Sequence, residues 1–176
     1  MSSTDDAMKA NESYAQSFKL GDLPIPPGRK LAIVACMDAR LTVEQLLGLK
    51  TGDAHIIRNA GGIVTEDAIR SLIISHHLLG TQEFIIINHT DCGMLTFKDE
   101  ELAAKLEAGT NAAAVSPQRF YAFPDLEKNV QQQIQRVKSH PWIPVNISVR
   151  GFIYDVKTGK LNEVAGSDKA RGKSAE

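Results

Sequence analysis

Three side chains in this 176-residue sequence are of types that hold a metal ion: Cys36, His89 and Cys92. His89 and Cys92 share the stretch NHTDCGM, an HxxC spacing with Gly93 behind it. That spacing lets one turn aim an imidazole and a sulfur at a common point. Cys36 closes the apolar run LAIVAC and supplies a third donor from elsewhere in the chain. Two thiolates and one imidazole with a fourth position open is an accepted catalytic zinc pattern. One Zn(II) per chain would occupy both cysteines. Asp38 and Arg40 follow Cys36 at alternate positions. Held ionised by Arg40, Asp38 has two courses open to it. It can coordinate zinc and close the site, or it can swing onto Arg40 and accept a hydrogen bond from zinc-bound hydroxide. Zinc lowers the pKa of bound water from about 15.7 to about 7. Two thiolates cancel the formal charge of the ion, so orientation and local hydrogen bonding must supply part of the effect.

Plainer readings use the same residues. Two buried thiols can pack as small hydrophobes, a lone disulfide can join them, and Asp38–Arg40 can be a weak surface ion pair. A closed structural zinc site would need Asp38 as a permanent fourth ligand. Cys36 as a covalent nucleophile lacks a base beside it and leaves Cys92 unexplained. His55, His76, His77 and His140 read as structural or exposed.

The elements that must position these groups follow from hydrophobic periodicity. Leu31 to Cys36, Ala54 to Arg58 and Phe84 to Asn88 read as buried strands. Between them lie a short helix from Val43 to Leu49 behind Thr42, and a longer one behind the N-cap Thr65. The longer helix carries Ile69, Leu72, Ile73, His76 and Leu79 on one stripe and stops at Gly80. Asp125 to Ser139 is an amphipathic helix. Val145 to Val156 alternates as a strand, and KTGK turns into a last strand, Leu161 to Val164. A helix over Ala7 to Phe18 and a Pro-rich loop precede the first strand; Glu100 to Ala108 is helical, and Gly109 to Pro124 is a long loop. The sum is a single α/β domain: a mostly parallel sheet of four strands plus an antiparallel edge strand, with helices on both faces. Residues 1–164 make the domain, 1–30 being an N-terminal helix and loop arm, and 165–176 read as a disordered tail. In an open parallel sheet, ligands bind beyond the carboxyl ends of the strands. Cys36, the loop after Arg58 and the His89–Cys92 turn all fall at that edge. Asn59, Gly61, Gly62, Ile63, Val64 and Gly93 are the expected pocket walls, the glycines admitting close approach and Ile63 and Val64 lining an apolar slot.

Composition narrows the classes. A formal net charge of -1 gives no reason to expect nucleic acid as a partner. No apolar run approaches the roughly 20 residues of a membrane span. The polar, acidic start MSSTDDAMKANES has no apolar signal core, so a cytoplasmic, reducing setting is expected.

CMDAR, IIRNAGG and HTDCGM, in this order and at these distances, resemble the β-class carbonic anhydrase family. The similarity is greatest to the compact subgroup that also holds carbonyl sulfide and carbon disulfide hydrolases. Carried over by position, the resemblance implies Cys36, His89 and Cys92 as zinc ligands and Asp38 with Arg40 as a catalytic dyad. It also implies a homodimer or a dimer of dimers, and attack on a linear small molecule. That molecule is CO2, giving bicarbonate, or carbonyl sulfide (COS), giving CO2 and H2S. The alternative on the same fold is a non-catalytic zinc or small-anion binding domain.

Overall fold

The computed structural model describes residues 2–113, 116–117, 119–166 and 168. The first strand, β1 (Leu31–Cys36), is buried at every position after Leu31. This is why its apolar run is continuous rather than alternating. It pairs in parallel with β2 (Ala54–Asn59) and β3 (Glu83–His89), and β3 pairs in parallel with β4 (Ser148–Tyr154). β5 (Leu161–Glu163) runs antiparallel on β4, giving the order β2-β1-β3-β4-β5. The expected sheet of four parallel strands and one antiparallel edge is therefore present. β3 runs one residue further at each end than its apolar core. Glu83 pairs with Ser148 and His89 with Tyr154, so the ladder continues through polar side chains.

Thr65 caps α3 (Glu66–His77) by accepting from the Ala68 amide, as its position suggested. Of the expected stripe, Ile69 and Leu72 are buried, while Ile73 and His76 are only half-buried. Ser75 takes the buried place instead, because its hydroxyl is held by His55 Nδ1 at 2.7 Å and Thr81 Oγ1 at 2.6 Å. Asp125 caps α5 (Leu126–Lys138). The helix behind Thr42, α2 (Val43–Leu46), is a single turn and Thr42 makes no side-chain cap bond. The next helix, α4 (Asp99–Thr110), extends beyond the expected span at both ends. The long loop thus starts after Thr110, and residues 114, 115 and 118 within it lie outside the described residues.

Two cores flank the sheet. On one face Val34, Phe84 and Ile86 meet Ile69 and Leu72 of α3 and Val130, Ile134 and Val137 of α5. On the other, Ile33, Ala35 and Ile87 share a cluster with Val43 of α2 and with Met94 and Phe123 from loops. Helices cover both faces, but unevenly. Gly151 lets α5 press onto β4: a Cβ there would lie 2.5 Å from Val130 Cγ1 and 2.7 Å from Ile134 Cδ1.

The N-terminal helix, α1 (Ser3–Ser17), starts at a capping box formed by Ser2 and Asp5, four residues before the expected start. None of its residues is buried. Of the expected tail 165–176, residues 167 and 169–176 lie outside the described residues. Asp168 is tied down, its carboxylate accepting from Lys138 Nζ and from the Val149 amide. Among the described residues no helix is long and apolar enough to cross a membrane.

Candidate metal centre

The carboxyl ends of β1 and β3 bring Cys36 and His89 side by side, and the turn after β3 returns Cys92 to them. Their ligand atoms all lie within 4.8 Å of one another, and all three residues are buried. The turn is made by Asp91 in the left-handed region (φ 56°), not by Gly93, which has no such φ and stands in open space. It is pinned to β4, since Thr90 N donates to Tyr154 O at 2.9 Å and Thr90 Oγ1 accepts from Val156 N at 3.1 Å.

His89 Nδ1 faces the Thr90 carbonyl at 2.8 Å. A ring nitrogen against a carbonyl must be the donor, so the neutral ring keeps its lone pair on Nε2. Among the described residues, Nε2 is the one buried side-chain polar atom with no hydrogen-bond partner. A buried polar nitrogen without a partner is costly, and an ion between it and the two sulfurs removes that cost. The donor set and this orphaned lone pair fit a zinc ion. Cys92 beside it pulls the Cys36 thiol well below its ordinary value, and Cys36 in turn pushes Cys92 up. Two sulfurs this close oppose each other's ionisation, so one thiolate forms at the expense of the other.

Asp38 does not point at this group as a fourth ligand; Arg40 holds it through both oxygens. Oδ1 accepts from Arg40 Nε at 2.9 Å and Oδ2 from Nη2 at 2.8 Å. The Arg40 guanidinium holds the Asp38 carboxyl far below the usual carboxylate range. Oδ2 nevertheless stays 3.7 Å from His89 Nε2, at the rim of the metal group. Arg40 is fixed from its far side by Asp91, donating to Oδ2 at 2.9 Å and to the main-chain oxygen at 3.0 Å.

The sequence model of the carbonic anhydrase family matches residues 31–161, which includes every one of these side chains. The chain belongs to the β-carbonic anhydrase family. It is 50% identical to β-carbonic anhydrase 1 of Mycobacterium tuberculosis, over 93% of this chain and 99% of that one. It is 39% identical to the carbon disulfide hydrolase of Saccharolobus solfataricus, over 90% of this chain and 87% of that one. The solved structure of carbonic anhydrase from Streptococcus mutans superposes with a TM-score of 0.88 at 46% identity, covering 93% of this chain and 98% of that one.

In this β-carbonic anhydrase the residues expected to wall a pocket, apart from Gly93 in open space, are placed in different ways. Ile63 shares a buried cluster with Cys36, Cys92, Met94 and Phe123. Gly61 and Gly62 are buried in the turn beside it, where a Cβ on Gly62 would lie 2.8 Å from Cys36 N, Ile87 O and Asn88 Nδ2. Val64 packs in the opposite core, with α3 and α5. The Asn59 side chain is spent on the turn itself, donating to Ile63 O and accepting from Ile63 N. Three contributors went unpredicted. Asp91 buttresses Arg40. Arg58 donates to the carbonyls of Cys36 and Asp38, steadying the segment between ligand and carboxylate. Asn88 donates to Gly61 O at 2.6 Å. Asp91 and Asn88 sit inside NHTDCGM and Arg58 inside IIRNAGG, so the motifs held the signal, but nothing in spacing says which backbone oxygen a side chain reaches. A cavity of about 890 Å³ lies between the start of α4 and the 119–124 loop, and none of the three metal-group residues lines it.

Proposed function

We propose that this protein is a zinc enzyme that adds water to a linear CO2-like molecule, with CO2 to bicarbonate and a proton as its principal reaction. Cys36, His89 and Cys92 hold one zinc ion per chain. Bound there, zinc supplies the Lewis acidity that brings the pKa of water toward neutrality. Asp38 accepts a hydrogen bond from the attacking water and fixes the direction of its lone pair. Arg40 keeps Asp38 ionised and turned aside, so that the carboxylate would not bind the ion and would remain available as an acceptor. Ile63, Met94 and Phe123 supply an apolar side suited to an uncharged substrate. The observation that carries this reading is the convergence of two sulfurs and an unsatisfied imidazole nitrogen beside a carboxylate already committed to arginine.

Hydrolysis of a sulfur analogue, COS to CO2 and H2S, is a second reading, favoured by the similarity to a carbon disulfide hydrolase. Two free cysteines suit a reducing cytoplasm. The exposed apolar side chains of α1 and the arm behind it (Met8, Tyr14, Phe18, Ile25) suit burial against a second copy of the chain, in a homodimer or a dimer of dimers. Metal analysis with stopped-flow CO2 hydration and H2S release on the purified protein tests the assignment. One zinc per chain and measurable turnover of either substrate are expected. Asp38→Ala should keep zinc and lose turnover about 10²- to 10⁴-fold, the usual worth of a positioned proton acceptor. Zinc lost with Asp38, and no turnover before its removal, would instead support the non-catalytic binding domain.

A further inference from the structure

Behind the metal group three buried amides form a closed circuit. Gln133 Oε1 accepts from Val64 N at 2.9 Å, and Gln133 Nε2 donates to Asn129 Oδ1 at 3.0 Å. Asn129 Nδ2 donates to Asn88 Oδ1 at 2.8 Å. Asn88 Nδ2 then returns to the same turn, donating to Gly61 O at 2.6 Å and Gly62 O at 3.2 Å. All three side chains are at least nine-tenths buried, at 1%, 4% and 7% exposure. Burying amides away from water is unfavourable unless every polar atom is paired, and such circuits fix one arrangement of the groups they join. The circuit grips the turn from both ends, at the Gly61 and Gly62 carbonyls and at the Val64 amide. The residue left between those grips is Ile63, the apolar side chain that shares its cluster with Cys36 and Cys92.

We propose that Asn88, Asn129 and Gln133 are positioning residues that set how far Ile63 stands from the metal group, and so set the discrimination between oxygen and sulfur in a linear triatomic substrate. This rests on the functional reading above. Asn129 and Gln133 are four residues apart on one face of α5, and α5 is seated on β4 at Gly151. The helix therefore acts as a rigid backing for the turn. Asn59 holds the Ile63 amide and carbonyl within the turn, so breaking the circuit lets the turn shift against α5 as a unit and carries Ile63 with it.

The test uses full-length, zinc-loaded protein and two readouts: kcat/KM for CO2 hydration, and the ratio of inhibition constants for thiocyanate and cyanate. These linear anions differ by one sulfur-for-oxygen exchange. Gln133→Met and Asn129→Leu keep approximate volume and break the circuit. They should lower kcat/KM about tenfold with zinc content unchanged, and shift the thiocyanate-to-cyanate ratio at least threefold toward the wider anion. A merely structural role reduces the active fraction and moves both constants alike, leaving the ratio fixed. A folded, zinc-loaded variant with an unchanged ratio overturns the proposal. Should both fail to fold, Gln133→Leu, which also removes the acceptor for Val64 N, is read in the same way; failure of all three to fold also overturns it. A wild-type protein that holds zinc but turns over neither CO2 nor COS overturns the functional reading itself.

Discussion

At the scale of single residues, His89 is the hinge of the metal centre. Its Nδ1 is spent on the Thr90 carbonyl and its Nε2 has nothing to bond within the described residues. On the proposed zinc reading, metal binding is coupled to folding, because the unfolded chain does not hold the three donors together. With free zinc a thousandfold above its dissociation constant, the gain is about 4 kcal/mol. For a domain of this size that is about 8–16 °C in Tm, at 2–4 °C per kcal/mol. Calorimetry with and without a chelator should show this difference in the wild type and none in His89→Ala, which should purify with little or no zinc.

At the scale of elements, two connections decide whether the site forms. The turn between β2 and α3 carries Gly62 at φ 61°, with backbone and an amide nitrogen packed where a side chain would begin. Gly62→Ala must bear both the left-handed conformation and the overlap, together at least about 2 kcal/mol. Chemical denaturation should show this loss, along with reduced zinc retention because Cys36 N is among the displaced atoms. The second connection is the loop before α5, where Asp99 at the start of α4 accepts from the amides of Phe120, Tyr121 and Ala122 at 2.9, 3.1 and 2.9 Å. Burial opposes ionisation of Asp99, but these three amides outweigh it and hold its carboxyl below the ordinary value. A depressed folded-state pKa contributes stability that is fully present above the unfolded value, about 3.9, and is lost as pH falls through the folded one. Asp99→Asn should therefore be less stable than wild type at pH 7. The gap should begin to narrow near pH 4 and close only below the depressed folded-state value, where the native carboxylate is itself protonated. Denaturation midpoints of the two proteins across that range check the sign.

At the scale of the whole molecule, the uneven cover of the sheet is the dominant feature. One face is sealed by α3 and α5, while the other carries one helical turn and loops, with Ile56 and Ile85 only half-buried there. α1 adds nothing to either core of its own chain. A monomer that exposes Met8 at 60% and Ile25 at 81% leaves apolar surface unused. Removing residues 2–17 should lower the mass found by light scattering from that of the assembly toward a single chain. Should the full-length protein already run as a monomer, the assembly reading is lost.

The sequence alone determined the chemistry and the strand that anchors it. Cys36, His89 and Cys92 were legible because metal ligation restricts residue type and spacing severely, and Asp38 and Arg40 because they follow Cys36 at alternate positions. β1 and β3 were legible because strands buried on both faces must be apolar throughout, and β4 was legible by its alternation. Tertiary structure decided what those groups do to one another. That Asp38 lies on Arg40, that Asp91 rather than Gly93 turns the chain, and that Val64 faces the opposite core from Ile63 all depend on distances between segments far apart in the chain. So does the amide circuit of Asn88, Asn129 and Gln133: in sequence it is three ordinary polar residues, two of them on a helix whose amphipathic pattern gives no reason to bury them. Periodicity reports which side of an element is covered; only packing reports which atom sits opposite.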